Sequence, residues 1–247
     1  MEIVPDTPAS KIYNQGLEKL ANGAPQEAAK KFTDLGKQYP GSDWGRKGLL
    51  MTIYADYQAG DYTGAETSAE RYLKEYANSP EADYVLYLQA NAYYEQIPDI
   101  SRDQDNAVKA LAAFQSVVQK YPKSEYVDDS KFKITVTQDQ LAGKEMSIGR
   151  FYLNRRNYTA AINRFRNVLR YFQTTRHAEE ALYRLVEAYL GLGITQEAQT
   201  AAAVLGHNFP GGRWYQDAYA LLQGKGLSPQ EDVNSWISKI YHTVVPS

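Results

Sequence analysis

The sequence NAVKALAAFQSVVQKYPKSEY, residues 106–126, shows most clearly how this chain is built. Small or apolar residues recur in it every three or four positions, which is the spacing that lines one face of an α-helix. The members of this face are Ala107, Ala110, Leu111, Phe114, Val117, Val118 and Tyr121. Pro122 follows directly and cannot continue a helix, so the sequence predicts one amphipathic helix with a defined end.

The same signature occurs five times along the chain. In each copy an Ala is followed eleven positions later by an aromatic residue, and the residue seven before that aromatic is also small or apolar. Successive Ala residues lie 37, 45, 51 and 37 positions apart, which leaves room for one partner helix per copy. We therefore predict an all-α fold, a right-handed solenoid of about five tetratricopeptide-like helix pairs plus C-terminal capping helices. The five pairs are Ala28/Tyr39, Ala65/Tyr76, Ala110/Tyr121, Ala161/Phe172 and Ala198/Phe209.

The repeats divide the chain into four predicted segments. An insertion, IPDISRDQD at 97–105, lengthens the third repeat, and an insertion of this kind lies on a rim of a solenoid. The longest spacing predicts one helix from about Ser124 to Asn154, although Gly143 and Gly149 weaken it. The segments are an N-terminal arm at 1–9, repeats 1 to 3 at 10–125, repeats 4 and 5 at 126–210, and a C-terminal helical extension at 211–247.

The C-terminal extension contains a signal for the start of a helix. The sequence Ser228-Pro229-Gln230-Glu231 combines a capping-box pattern with a Pro at the first helical position. We expect the helix that follows to cap the last repeat, because the end of a solenoid needs such a cover. Its apolar residues are Val233, Trp236, Ile237 and Ile240.

The composition argues against several kinds of site. Hydrophobic residues make up 43% and charged residues 23% of the chain, as in an ordinary soluble globular protein. There is no Cys for a disulfide, a thiolate metal site or a nucleophile. His177, His207 and His242 are too scattered to place two metal ligands on one helix face. No set of acid, base and nucleophile converges in the sequence, so we predict a non-enzymatic protein without a metal or cofactor.

Positive charge is concentrated in residues 144–184. This segment holds nine Lys and Arg residues, eight of them Arg, against three acidic residues, whereas the whole chain has a net charge of −2. Arg pairs with carboxylates through two parallel hydrogen bonds, so one interpretation is a docking patch for an acidic partner surface. Nucleic-acid binding is a second interpretation, which the pI near 6.0 disfavours. A solvated helix face is the third.

Four longer stretches go beyond a generic repeat, and in them the chain resembles the BamD family. The stretches are VPDTPASKIYNQGLEKL at 4–20, DYVLYL at 83–88, the sequence at 101–126, and SIGRFYLNRRNYTAAINRFRNVLRYF at 147–172. Members of this family are lipoprotein subunits of the machinery that assembles β-barrel proteins in the outer membrane of Gram-negative bacteria. The resemblance extends to about Phe209, and the tail beyond it continues past the better-known members.

The resemblance implies a periplasmic adaptor held at the outer membrane by a lipid on an N-terminal Cys. This sequence contains no Cys, so the anchor would lie upstream of Met1. The resemblance also implies that the N-terminal half receives the C-terminal targeting segment of unfolded barrel precursors. The C-terminal half would dock on the POTRA domains of BamA, and other BAM lipoproteins are possible partners. Arg164 matches the family Arg that pairs with an acid of BamA, and we place Arg156 and Arg170 in the same docking site.

The 21 Tyr residues suggest where a peptide would bind. Tyr buries a ring while keeping a hydroxyl for a ligand, so we predict a groove that holds an extended peptide with an aromatic end. Its predicted lining is Tyr54, Tyr57, Tyr84, Tyr87 and Asn91. The alternative is that most of these tyrosines only pack helices together.

Two other functions stay open at this point. One is a different periplasmic tetratricopeptide scaffold, for example in cell-envelope constriction, which would need neither the groove nor Arg164. The other is a helical glycan-processing enzyme, which would need two carboxylates with raised pKa values facing each other in a deep cleft.

Overall fold

The computed structural model describes residues 8–244, with side chains up to Tyr241. Within this range the chain forms twelve α-helices and no β-strand. The predicted arm at 1–9 lies almost wholly outside the described residues, and the first helix begins at Ala9. The helices are α1 (Ala9–Ala21), α2 (Pro25–Gln38), α3 (Asp43–Gln58), α4 (Tyr62–Glu75), α5 (Ala82–Glu95), α6 (Asp105–Lys120), α7 (Val127–Asn154), α8 (Tyr158–Tyr171), α9 (His177–Leu192), α10 (Thr195–Asn208), α11 (Arg213–Gln223) and α12 (Trp236–Val244).

The helices pack as successive pairs. α1 packs with α2, α3 with α4, α5 with α6, and α9 with α10. The second half of α7 contacts α8, where Arg164 and Glu145 form an ion pair at 3.1 Å. α11 then packs on α9 and α10, and α12 packs on α10. The predicted all-α fold of five helix pairs with C-terminal capping helices is therefore confirmed.

Burial confirms the register of the five repeats. The five Ala residues of the signature, and the residues four positions after them, are all fully buried. Each signature aromatic is the C-cap of the second helix of its pair, and its backbone N–H donates to the carbonyl four residues earlier. The same short pattern therefore encodes both a close helix contact and the end of the helix. The residues four positions after the Ala are Phe32, Ala69, Phe114, Phe165 and Ala202.

α7 runs without a break through the two glycines that weaken its helical propensity. Gly149 has a packing role, because a Cβ there would lie within 2.8 Å of Cδ1 and Cζ of the buried Phe165 ring. In the first pair, Phe32 lies against Gly16 in the same way. A Phe ring of the second helix thus packs directly on the backbone of the first, and only Gly leaves room for that approach.

Contacts within the chain divide it into two compact units, with the division between Thr137 and Gln138, inside α7. The first unit contains α1 to α6 and the start of α7, and its buried side chains form several small cores. The second unit has one larger core, which begins at Ala142 of α7 and reaches Tyr241 of α12. The segment boundaries at 125/126 and 210/211 stay predictions.

The predicted capping box is wrong, because residues 228–235 do not form a helix. Side chains of α10 bind the backbone of this segment instead. Gln199 Nε2 donates to the carbonyl of Ser228 at 2.8 Å, and Thr200 Oγ1 accepts from the N–H of Asp232 at 3.1 Å. These hydrogen bonds hold the segment along α10 and delay the start of the helix.

The helix begins at Trp236 and performs the predicted capping role. Ile237 is fully buried in the core of the second unit, with Trp236 and Ile240 packed against that core. Trp236 Nε1 donates to the hydroxyl of Tyr189 at 2.9 Å. Val233, which was expected on the same face, is 66% exposed because it precedes the helix.

The inserted loop between α5 and α6 is organised by one buried side chain. Gln104 Nε2 lies 3.1 Å from the carbonyl oxygens of Asp99 and Arg102 and 3.3 Å from that of Asp103. The two N–H donors of one amide group are therefore shared among three backbone acceptors, which gives the loop a defined conformation.

Candidate functional site

Six tyrosines form one surface of the first unit, on the face built by α3, α5 and the residue before α7. We call this surface the tyrosine cluster. The rings of Tyr87 and Tyr126 stack with centroids 4.6 Å apart, and Tyr84 lies 5.3 Å from Tyr126. All six side chains are half-buried, so each packs part of its ring and leaves the rest accessible. The members are Tyr54, Tyr57, Tyr84, Tyr87, Tyr94 and Tyr126.

Helical spacing explains why these side chains share a face. On α5 they follow one another at steps of three, four and three residues, and on α3 at a step of three, which are the spacings of one helix face. α3 and α5 are first helices of neighbouring pairs and contact each other. The two stripes therefore lie side by side. The α5 stripe consists of Tyr84, Tyr87, Asn91 and Tyr94, and the α3 stripe of Tyr54 and Tyr57.

The structure brings the four predicted tyrosines together and adds two that the sequence analysis missed. Tyr94 continues the α5 stripe, so its spacing could have identified it. Tyr126 precedes α7 and reaches the cluster only because the start of α7 packs beside α5, which no local pattern encodes.

Asn91 lies beneath the tyrosines and belongs to a closed network of hydrogen bonds. It is 2% exposed, and its Nδ2 donates to the carbonyl of Tyr87 at 2.8 Å. Lys133 of α7 donates to Asn91 Oδ1 and pairs with Asp129 at 3.1 Å. The Tyr87 hydroxyl donates to the same carboxylate at 2.7 Å, which closes the network. The role of Asn91 in this geometry is to hold α5 and α7 together, and a peptide would not reach it.

Lys133 also lies over three aromatic rings. Its Nζ is 5.4 Å from the ring centroid of Tyr87, 5.5 Å from that of Tyr94 and 5.7 Å from that of Phe114. An ammonium above a ring face is attracted by the ring quadrupole. Two tyrosines of the cluster, Tyr87 and Tyr94, thus already make cation–π contacts with Lys133 of the same chain.

Three phenols of the cluster have a strongly raised pKa. Burial raises the pKa of Tyr87 to about 12, and the hydrogen bond to Asp129 adds to the effect. Burial and then the charge of Glu95 raise the pKa of Tyr57 to about 12. Burial raises the pKa of Tyr126 to about 12, with Glu125 as the second cause. The single proton of the Tyr87 phenol is already bonded to Asp129. The cluster can therefore stack its rings on an aromatic side chain, and its phenol oxygens can accept from peptide N–H groups.

Ion pairs with carboxylates neutralise much of the positive charge that the sequence places in the Arg-rich segment at 144–184. Four of its eight Arg residues form ion pairs with carboxylates of the second unit, at distances from 2.7 to 3.1 Å. Arg166, spaced to share a face with Arg170, instead places its guanidinium 4.5 Å from the ring centroid of Trp236. The four ion-paired residues are Arg150 with Glu180, Arg164 with Glu145, Arg176 with Asp139, and Arg184 with Glu180 and Glu187.

The three predicted docking residues do not lie in one cluster. The Arg164 side chain is 39% exposed, and its partner Glu145, which also accepts from Asn167 Nδ2 at 2.8 Å, is 17% exposed. Arg156 is exposed in the turn before α8, where it adopts a φ of 59°. Arg170 is exposed in the last turn of α8. The helix between them is about 20 Å long, at 1.5 Å per residue.

Two features are absent from the residues that the structure describes. No three His, Asp or Glu side chains of residues 8–244 are grouped so that they could hold a metal ion. In the same range, no helix combines the length and the apolar character that crossing a membrane requires.

Comparisons with known proteins agree on one family. The family model described as "YfiO: Outer membrane lipoprotein" matches residues 5–205. The outer membrane protein assembly factor BamD of Caulobacter vibrioides is 48% identical over 224 residues, which cover 91% of this chain and 73% of that protein. The protein of the same name from Rickettsia prowazekii is 39% identical over 216 residues, which cover 87% of this chain and 86% of that protein. BamD of Pasteurella multocida is 30% identical over 237 residues, which cover 92% of this chain and 90% of that protein.

Proposed function

The chain belongs to the BamD family of outer membrane protein assembly factors, and we propose that it acts as a non-enzymatic adaptor. In this proposal the first unit binds the C-terminal segments of unfolded barrel precursors, and the second unit docks on the POTRA domains of BamA. The adaptor works at the periplasmic face of the outer membrane, tethered by a lipid. Further BAM lipoproteins would bind elsewhere on the chain.

The observation that carries the peptide site is the tyrosine cluster. Six half-buried rings meet on one face, and the Tyr87 hydroxyl is held in place by its hydrogen bond to Asp129. An extended peptide offers aromatic side chains to stack on such rings and backbone N–H groups to donate to the phenol oxygens. The network beneath the rings fixes their positions in advance, which lowers the entropic cost of binding.

What supports the docking site is the geometry of Arg164. A guanidinium carries five N–H donors, and Glu145 uses only part of them, so an exposed edge is left for a carboxylate of the partner. Glu145 holds the side chain in place and acts as a positioning residue. Arg156 and Arg170 lie towards opposite ends of α8, so they would meet acidic groups spread over a wide partner surface.

The peptide site is tested with a fluorescein-labelled peptide that ends in Phe and takes its sequence from a barrel precursor. Tyr126→Ala removes the ring that stacks on Tyr87, so we expect binding about five- to tenfold weaker by fluorescence polarisation. The matched control is Tyr219→Ala, which removes an exposed tyrosine of α11 outside the cluster. Equal losses in both variants would refute the assignment of the site.

The docking site is tested by capture of the purified POTRA region of BamA from the same organism. Arg164→Ala should lose capture, whereas Glu145→Gln should keep Arg164 and weaken capture only modestly. Ala is preferable to Glu at position 164, because a new carboxylate beside Glu145 would disturb the fold as well as the interface. If the parent protein captures no POTRA region at low salt, the adaptor proposal fails and another periplasmic scaffold becomes the better hypothesis.

A further inference from the structure

Four carboxylates surround the tyrosine cluster. Asp129 accepts the hydroxyl of Tyr87 at 2.7 Å. Glu95 follows Tyr94 at the end of α5, and its charge acts on the phenols of both Tyr57 and Tyr94. Charges of the other two, Glu125 and Asp83, act on the phenol of Tyr126. All four carboxylates are thus near enough for their charge to act on a phenol of the cluster.

One basic side chain faces these four carboxylates across the cluster. Lys133 is 18% exposed and already bonds to Asp129 and to Asn91. Its ammonium group is therefore already paired within the hydrogen-bond network beneath the rings. Four negative charges against one positive charge leave the cluster with a net charge of −3. A ligand that adds another carboxylate would meet repulsion, whereas a cation would be attracted.

We propose that the peptide bound by the tyrosine cluster carries a Lys or Arg side chain next to its aromatic residue, and that Glu95 pairs with this cation. The inference rests on the proposed peptide-binding function and specifies the class of peptide. Glu95 is exposed, follows Tyr94 at the end of α5, and acts on the phenol of Tyr57 as well. The incoming cation can lie against the ring of Tyr57, beside Glu95, in the way that Lys133 lies over Tyr87 and Tyr94.

The free carboxylate at the end of the peptide must then point away from the cluster. Lys133 can reach it only by giving up Asp129, which would leave that carboxylate without its ammonium partner. Amidation of the peptide end is therefore expected to leave the affinity unchanged or to improve it.

The experiment compares two labelled peptides that differ at one position, one ending in Lys-Phe and one in Gln-Phe. Binding to the full chain is measured by fluorescence polarisation at low and at physiological salt. We expect the Lys peptide to bind about five- to tenfold more tightly at low salt, from one exposed ion pair and one cation–π contact. In Glu95→Gln this preference should fall to about twofold, and in the parent it should shrink at higher salt.

Asp128→Asn is the matched control. Its carboxylate is on the same helix as Asp129, carries the same charge and is 97% exposed, and its ion-pair partner is Lys131 at 3.8 Å. It should keep the full preference for the Lys peptide, because it lies outside the cluster. A loss as large as that in Glu95→Gln would show a general charge effect and overturn the role of Glu95.

The outcomes separate this inference from the proposed function. Equal binding of the two peptides to the parent, together with a loss in Tyr126→Ala, would overturn the preference for a cation and leave the peptide site standing. A loss on amidation of more than about fivefold, equal to 1 kcal/mol, would likewise overturn it in favour of a carboxylate-binding site at Lys133. Failure of both peptides to bind would refute the peptide-binding function itself.

Discussion

Two glycines of α7 provide a sharp test of how the second unit packs, because the same substitution should have opposite effects at the two positions. Ala is favoured over Gly in a helix interior by about 1 kcal/mol, so each Gly→Ala change starts with that gain in the free energy of unfolding. At Gly143 the new Cβ lies 3.4 Å from Nε2 of His177, an ordinary contact. Gly143→Ala should therefore keep the gain of about 1 kcal/mol in the free energy of unfolding.

At Gly149 the new Cβ lies within 2.8 Å of two ring carbons of Phe165, which is fully buried. A ring enclosed on all sides cannot retreat, and overpacking of this kind costs about 1–3 kcal/mol. A third ring carbon, Cε1, would lie closer still, so the cost should fall in the upper part of that range, about 2–3 kcal/mol. Subtracting the propensity gain of about 1 kcal/mol leaves a net destabilisation of about 1–2 kcal/mol for Gly149→Ala. In a protein of this size, 1 kcal/mol changes the melting temperature by about 2–4 °C.

The measurement should report the second unit alone, because a repeat protein need not unfold in one step. The chain has three Trp residues, and in a Trp44→Phe background the remaining two, Trp214 and Trp236, both lie in the second unit. Urea unfolding followed by Trp fluorescence then gives the free energy of unfolding of that unit. We expect Gly143→Ala to raise the midpoint and Gly149→Ala to lower it.

A double variant adds a second check of the same contact. Phe165→Leu alone creates a void, but combined with Gly149→Ala it should lose less stability than the two single changes predict. Strict additivity, or a Gly149→Ala protein at least as stable as the parent, would refute the close packing of Phe165 on the backbone of α7.

Three further predictions concern stability and loop order. Burial, and then the charge of a neighbouring carboxylate, raise the pKa of Asp56 to about 6, above its ordinary value of 3.8. Between about pH 4 and pH 6 the folded state therefore holds a proton that the unfolded state has lost, so the free energy of unfolding falls as the pH rises through this range. Asp56→Asn should remove this pH dependence. It should also raise the free energy of unfolding at pH 7 by about 1 kcal/mol, a figure already reduced for solvent screening, as measured by urea titrations at several pH values. Trp236→Phe should cost about 1 kcal/mol in thermal melts by losing its hydrogen bond to Tyr189, whereas Val233→Ser should change nothing. Gln104→Ala should speed hydrogen exchange in the inserted loop with unchanged helical circular dichroism, and unchanged exchange would contradict the role of its amide.

The Arg-rich segment shows how a count of charges can mislead about a surface. The sequence places eight Arg residues within residues 144–184, but helix packing brings carboxylates, among them Asp139, against three of them. A fourth, Arg184, pairs with carboxylates of its own helix α9. Asp139 itself lies outside the counted segment. Arg164 keeps a role in the docking proposal because part of its guanidinium stays exposed although Glu145 pairs with it. A count of charges in the sequence does not reveal this exposed edge.

The C-terminal extension shows a second limit of local patterns. The capping-box sequence at 228–231 is a valid helix start by itself, yet Gln199 and Thr200 bind this backbone and keep it extended. Hydrogen bonds to side chains some thirty residues away replace the local helix cap, and they form only because packing brings α10 beside this segment.

The sequence by itself determined the five helix pairs, their register and the ends of their second helices. These features depend on residue types that repeat at a fixed spacing, such as Ala110 and Tyr121, and each repeat packs mainly on its neighbours. The tertiary structure alone decided which charges are free and which tyrosines meet. Tyr126 joins Tyr87, and Lys133 reaches Asn91, across gaps of about forty residues. Such partners are chosen by the packing of whole helices, which leaves no periodic trace in the chain.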